Sequence, residues 1–273
     1  IITASDYQIC VGDSTELSLS GSSNGTWSNS NSSASELNLS NLYAKGTSAG
    51  TSVYTYTDTY GCDATISIQV NALPAVSAGL DLAVCAGVSV KLKATGASTY
   101  SWSNGVTNDV SFVPTQTASY TVTGTNSSGC SSTDEVSVTV NPVPTITSPS
   151  TSICVGSNVD LDGSGTPALS GAWSSSADGI ATINSNGLVA GVSAGTVTIT
   201  YTDINGCEAF ETITINPAPT ISAGSNEAIC YGDAITLSGS GGTSYTWDNG
   251  ITDGATVTPL QTTIYTVTGT NAN

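Results

Sequence analysis

Val197-Thr198-Ile199-Thr200-Tyr201 alternates apolar and hydroxyl side chains, and Gly206-Cys207 follows a few residues on. An apolar residue at every second position is the period of a β-strand with one buried face, and a glycine at its end is a turn residue. The same reading fits Tyr120-Thr121-Val122-Thr123, which precedes Gly129-Cys130, and Val136-Ser137-Val138-Thr139-Val140, which follows it. No 11-residue window joins a helical apolar period to helix formers, so an all-β chain with almost no helix is expected.

From that stretch a repeat emerges in both directions. Cys-x-Gly stands at Cys10, Cys85, Cys154 and Cys230, and tryptophan follows each, at Trp27, Trp102, Trp173 and Trp247. Gly-Cys closes a Tyr/Thr/Val strand at Cys62, Cys130 and Cys207. Cys10 to Cys154 is 144 residues and Cys85 to Cys230 is 145, so alternate modules match best. Modules one and three share Tyr-Thr-Asp (Tyr56 to Asp58, Tyr201 to Asp203); two and four share Tyr-Thr-Val-Thr-Gly-Thr-Asn (Tyr120 to Asn126, Tyr265 to Asn271). The order is A-B-A-B. Boundaries fall at Asn71-Ala72-Leu73-Pro74, Asn141-Pro142-Val143-Pro144 and Asn216-Pro217-Ala218-Pro219, giving modules 1–72 (A1), 73–142 (B1), 143–217 (A2) and 218–273 (B2). By the spacing of B1, the second cysteine of B2 would fall at 275, so the sequence is read as a window of a longer repetitive chain. Proline stiffens such joints. Four modules in line predict an extended rod on the order of 140–160 Å long.

Composition excludes several functions. Charged residues make up 8% of the 273, the formal net charge is −17, and the cations are Lys45, Lys91 and Lys93. The chain has no His. Triads that use an imidazole base and His-ligated metals are therefore excluded. So acidic a surface repels phosphate backbones, which excludes nucleic acid as a partner. Low charge alone would fit a disordered linker, but a 38% apolar content arranged in strand-length alternation does not. No run approaches 18 apolar residues and residues 1–20 lack a basic-then-apolar pattern, so neither membrane span nor signal peptide is expected in this segment.

Modules of about 70 residues with short alternating strands, one tryptophan and Gly/Asn turns predict small β-sandwiches of immunoglobulin-like type, four in tandem. One strand aligns across all four: Thr15-Glu16-Leu17-Ser18, Val90-Lys91-Leu92-Lys93, Val159-Asp160-Leu161-Asp162 and Ile235-Thr236-Leu237-Ser238, with the leucines inward. Val76-Ser77-Ala78-Gly79 running to Val84-Cys85-Ala86-Gly87, Tyr100-Ser101-Trp102-Ser103-Asn104-Gly105 and Tyr120 to Asn126 resemble the tandem repeats of giant Bacteroidota surface proteins, among them SprB-type gliding-motility adhesins. The A modules are similar to bacterial Ig-like group 2 domains, on Trp173-Ser174-Ser175-Ser176, Ile183 to Gly191 and Ala194-Gly195-Thr196. The B modules are similar to PKD-like domains, although Trp-Ser-Asn-Gly departs from the usual Trp-x-Phe-Gly-Asp-Gly. The resemblance implies export by the type 9 secretion system, a cell-surface location and an adhesive role. Asp13-Ser14-Thr15 matches a short O-glycosylation pattern of that phylum, which makes Ser14 a candidate for modification.

Seven cysteines in such a chain imply an oxidising, extracellular compartment. Two pairings are open. Within modules, Cys10 would meet Cys62, Cys85 would meet Cys130 and Cys154 would meet Cys207. In an Ig-like sandwich, however, the two cysteine-bearing turns lie at opposite ends, so that Cys10 could instead meet Cys130 and Cys85 meet Cys207 across joints, with Cys62, Cys154 and Cys230 left to other neighbours; the two pairings stand level.

Trp27, Trp102, Trp173 and Trp247 hold one position per module and are read as core, with Tyr100 and Tyr245 inward beside two of them. Tyr120 and Tyr265 are read as corner tyrosines that tie the backbone. Asp160-Leu161-Asp162-Gly163 has the outline of a calcium loop but projects from a strand and lacks further ligands. Asp58, Asp81, Asp134, Glu135, Asp203 and Glu227 at the joints would support weak Ca2+ binding, though a solvated acidic surface is the simpler reading, and no cofactor is expected. No carboxylate pair recurs at matched positions, so the chain is not expected to be an enzyme. The sequence reads as a non-catalytic, disulfide-stiffened stalk or filament segment of an extracellular adhesin. Its partners would be neighbouring repeats and other copies in a fibre. The alternatives are modules that bind surface polysaccharide, or spacers in a secreted multidomain enzyme.

Overall fold

A computed structural model describes residues 1–21 and 24–272. Strand-length alternation does form strands. In Ser14–Leu19 exposed and buried residues alternate, and Leu17 is 1% exposed. The aligned Leu92, Leu161 and Leu237 are buried as well. Among the described residues helix is confined to two 3-10 turns, Ser103–Gly105 and Asp248–Gly250, each directly after a tryptophan.

The chain divides into two compact units, Ile1–Asn141 and Pro142–Asn273. The first holds two sandwiches. One has a sheet of Ile2–Ala4, Ser14–Leu19, Tyr43–Gly46 and Ser35–Asn38, and a second of Gln8–Cys10, Asp63–Asn71, Gly50–Asp58 and Gly25–Asn29, each in spatial order. Leu17, Tyr54, Ile68 and Val70 fill the space between. The other has a sheet of Thr99–Trp102, Ala118–Thr125, Ser131–Asn141 and Leu82–Cys85, opposed by the short pair Val90–Lys91 and Ser111–Phe112. Leu92, Val122, Val136 and Val138 form its core. The second unit repeats this plan. Its third sandwich packs Leu161, Val189, Ile199 and Ile213, while the fourth has two two-stranded sheets, Ile235–Thr236 with Thr256–Val257 and Ser244–Trp247 with Val267–Thr270.

One pairing decides where the cysteines lie. In the first three sandwiches the short strand that ends in the Cys-x-Gly cysteine runs parallel to the final strand, with Cys10 opposite Asn71, Cys85 opposite Asn141 and Cys154 opposite Asn216. The first cysteine therefore sits where the chain leaves its sandwich. The second sits in the turn that enters the final strand, at the other end. A nine-residue strand such as Asp63–Asn71 separates the two by about 30 Å. A disulfide spans a Cα distance of about 6 Å, so a bond within one sandwich is out of reach.

Candidate functional site

The cysteines are presented by two recurrent turns. In the first, the amide four residues into Cys-x-Gly-x donates to the cysteine carbonyl: Asp13 to Cys10 (3.0 Å), Val88 to Cys85 (3.1 Å), Ser157 to Cys154 (3.0 Å) and Asp233 to Cys230 (3.0 Å). The glycine takes positive φ, from 82° at Gly156 to 97° at Gly12, as the third residue of a type II turn must. The amides of Val11, Ala86 and Val155 donate to the carbonyls of Asn71, Asn141 and Asn216, so each turn is pinned to the end of its own final strand.

The second turn is Asx-x-x-Gly-Cys. Asp58 Oδ1 accepts the amides of Tyr60 and Cys62 (2.8 and 2.9 Å), Asn126 Oδ1 those of Ser128 and Cys130 (both 3.0 Å), and Asp203 Oδ1 those of Asn205 and Cys207 (2.9 and 2.8 Å). A side chain that accepts from the backbone two residues on builds the turn itself. Asp58 and Asp203, counted in the sequence among acids for Ca2+, are committed here to backbone amides. Asp81 and Asp134 behave alike, accepting the amides of Ser137 and Ala78 at 2.8 Å. Asp160 and Asp162 are exposed on separate short strands, and among the described residues no three His, Cys, Asp or Glu side chains group as a metal site.

In the first unit the two turns meet. Cys10 and Cys130 form a disulfide with a Cα separation of 5.6 Å, joining the exit of the first sandwich to the entrance of the second. Asn126, whose Oδ1 shapes the turn, also donates from Nδ2 to the Ala72 carbonyl between the sandwiches (2.9 Å). Ser132 Oγ donates to the Pro74 carbonyl. In the second unit Asn271, at the position of Asn126, donates to the Pro217 carbonyl (3.3 Å). Cys85 and Cys207 are each in a disulfide as well, and Cys207 is buried. Cys62 and Cys230 are exposed thiols. The pairings 10–62 and 85–130 are therefore not formed, for the geometric reason given above.

The aromatic residues divide by module type. Trp102 and Trp247 are buried, and their indole N–H groups donate to Asn108 (3.1 Å) and Asp253 (2.9 Å). Trp27 and Trp173 are half-buried and rest on Tyr56 and Tyr201, with ring centroids 5.3 and 4.7 Å apart. One sequence position thus serves as full core in two modules and as core margin in the other two. The corner role belongs to Tyr100 and Tyr245, not to Tyr120. The Tyr100 hydroxyl donates to the Ala97 carbonyl and accepts the Ala97 amide, both at 2.8 Å, and Tyr245 does the same with Gly242. Tyr120 is instead buried against Phe112. Lys91 and Lys93 both pair with Asp109, at 3.3 and 3.0 Å, which holds that carboxyl below its usual range, Lys93 contributing most. Ser14 is exposed at the start of Ser14–Leu19, opposite Lys45.

The Ala78 amide, and after it that of Glu135, holds the Asp134 carboxyl below its ordinary value of 3.8. A lowered folded-state pKa contributes stability that is complete above the unfolded value and fades as pH falls through the folded one. Asp134→Asn is therefore expected to flatten the loss of stability below about pH 4, read as urea midpoints from pH 7 to pH 2. Identical pH profiles for wild type and variant would refute the role.

The bacterial Ig-like domain family (group 2) matches residues 138–213, across the third sandwich. No curated protein matches the chain. Among solved structures the chain is similar to Sidekick-1 immunoglobulin domains 1–4, at 14% identity over 77% of this chain and 73% of that one, with a TM-score of 0.30. It is similar also to the N-terminal eight Ig domains of Down Syndrome Cell Adhesion Molecule isoform 1.30.30, at 15% identity over 90% of this chain and 41% of that one, TM-score 0.37. The titin I-band fragment I67–I69 is matched at 13% identity over 79% of this chain and 98% of that one, TM-score 0.31. The chain is a tandem array of Ig-like β-sandwiches.

Proposed function

We propose that this chain is a non-catalytic structural segment, stalk or filament, of a large extracellular cell-surface adhesin, with modules 1–72, 73–142, 143–217 and 218–273. The observation that carries the reading is the Cys10–Cys130 bond, which spends its cysteines on a joint between sandwiches and not on a core. A bond so placed limits how far neighbouring modules can part, which is what a load-bearing spacer needs. Disulfides also support a setting in an oxidising compartment outside the cytosol. The repeat motifs carried by Cys85 to Gly87, Trp102 to Gly105 and Tyr120 to Asn126 support a Bacteroidota gliding adhesin exported by the type 9 system.

The rule proposed for the array is that each Cys-x-Gly cysteine bonds the Gly-Cys cysteine of the following module, which names Cys207 as the partner of Cys85. Non-reducing peptide mapping by mass spectrometry should return the 10–130 and 85–207 linkages. A linkage of Cys85 to Cys130, or of Cys10 to Cys62, would overturn the reading.

A further inference from the structure

Lys91 and Lys93 point outward from one edge of the second sandwich, two residues and hence about 6.6 Å apart, with Leu92 buried between them. Asp109 reaches both, so two cations against one acid leave a local charge of +1 on a chain whose formal net charge is −17. Apolar surface lies beside them. Ser111 pairs with Lys91, and Val110 and Val113, which flank Ser111–Phe112, are 53 and 50% exposed.

The fold itself does not require these residues. The fourth sandwich builds the same strand pair in the same register, Ile235 opposite Val257 and Thr236 opposite Thr256, as Val90 stands opposite Phe112 and Lys91 opposite Ser111. It does so with an uncharged set: Thr236 and Ser238 replace the lysines, Gly254 replaces Asp109, and Ala255 and Thr258 replace the valines. A face that is small and hydroxyl-bearing in one module and cationic and apolar in its sister is built for contact.

The third sandwich carries the complement. On the aligned strand Asp160 and Asp162 stand where the lysines stand, both exposed, with Leu161 buried between them. Asp160 pairs with Leu188, which is partly exposed, so an apolar side chain again lies beside the charges. Residues 142–273 contain no lysine or arginine to neutralise the pair.

We propose that these two faces form an interface between copies of this chain, the Lys91/Lys93 face of one copy on the Asp160/Asp162 face of another. The equal two-residue spacing lets both charge pairs meet in one register, and Val113 and Leu188 add apolar area. Most other approaches of two copies set acid against acid, since the only other cation is Lys45. At physiological ionic strength that general repulsion is damped beyond about 8 Å, while charges in contact still attract. Exposed ion pairs are individually weak, so a single contact is weak and gains by repetition. Every copy carries both faces, so the contact closes about a two-fold axis or propagates from copy to copy. This extends the stalk or filament reading to a second chain but uses no cysteine, so its failure would leave that reading standing.

Sedimentation equilibrium of the oxidised 273-residue chain tests the interface, in about 0.15 M salt and with the exposed Cys62 and Cys230 alkylated to prevent crosslinks between copies. The mean mass should rise with concentration, with a Kd on the order of 0.1 mM. Lys91→Asp with Lys93→Asp should weaken self-association about tenfold or more, and so should Asp160→Lys with Asp162→Lys. An equimolar mixture of those two variants should associate as the unaltered chain does, because every lysine face then finds an aspartate face. A fold lost to substitution would not be rescued by mixing. Asp109→Asn keeps a residue type that tolerates the left-handed φ of 60°, frees both lysines and should tighten association about threefold. A chain that stays monomeric to about 1 mM, charge-reversed variants that associate as the unaltered chain does, or a mixture that shows no rescue would each overturn the proposal. A monomer that instead binds dextran sulfate through Lys91 and Lys93 would give that face to an anionic polysaccharide, and would overturn it as well.

Discussion

Replacing Cys10 with serine is expected to destabilise the first unit by about 4–5 kcal/mol, the value that loop-closure entropy gives for a bond between residues 120 apart. The argument is topological. Each of the two sandwiches has its own core, so neither needs the bond in order to fold. When either one unfolds, however, its chain remains pinned at the joint, and the unfolded ensemble is poorer for it. The cysteine itself contributes little packing, since Gln8–Cys10 is held by only three paired residues. Urea midpoints of a 1–141 fragment under non-reducing conditions measure the difference, and Cys10→Ser and Cys130→Ser should give the same loss singly and together, because both remove one interaction. Wild type in reductant should fall to the same midpoint. A shift below about 1 kcal/mol would mean that the joint is already ordered by Asn126, Ser132 and the proline joint, and that the disulfide is incidental to it.

The sequence disclosed the parts whose cause is local. Alternation over Val197 to Tyr201 and Val136 to Val140 gave strands with the expected faces buried, and the aligned leucines 17, 92, 161 and 237 are all inside. The separation of the two cysteine turns followed from strand order. What escaped depends on contacts between residues whose spacing carries no signal. Tyr100 and Tyr120 look alike in a row of letters, yet only Tyr100 has a backbone that folds back three residues earlier at Ala97 for its hydroxyl to tie. Trp27 and Trp102 share an offset from their cysteines. Trp102 finds Asn108 six residues on as an acceptor, and Trp27 rests on Tyr56 at the margin of its core. The pairing of Lys91 and Lys93 was similarly hidden, because Asp109 reaches them from a left-handed turn with φ of 60°. The joint acids were legible as acids but not as turn builders, although an Asx three residues before Gly-Cys is a signal that could have found Asp58, Asn126 and Asp203.

Gly96→Ala is expected to cost about 3–4 kcal/mol, far more than Gly87→Ala, although both glycines have nearly the same backbone. Gly87 has φ of +86°, and a Cβ there would meet nothing within 4 Å. Its substitution costs the left-handed strain of an L-residue, about 1–2 kcal/mol. Gly96 has φ of +91°, and a Cβ there would lie 1.8 Å from the Ala75 carbonyl oxygen, which no side-chain rearrangement can relieve. The backbone must move, and it is the backbone that carries the reciprocal hydrogen bonds between Ser77 and Thr95, both 3.0 Å. Losing these adds about 1 kcal/mol each to the strain. The fourth sandwich repeats the contact: a Cβ on Gly241 would lie 1.9 Å from the Thr220 carbonyl oxygen, beside the matching Ser222–Ser240 bridge. In both cases the crowded segment is the one that has just left a proline joint, so the glycine seats the entering chain against its sandwich. For a domain of this size 1 kcal/mol moves the melting midpoint by about 4–8 °C, so Gly96→Ala should melt at least about 8 °C below Gly87→Ala by circular dichroism. Equal midpoints for the two variants would show that the close approach at Ala75 does not hold in solution.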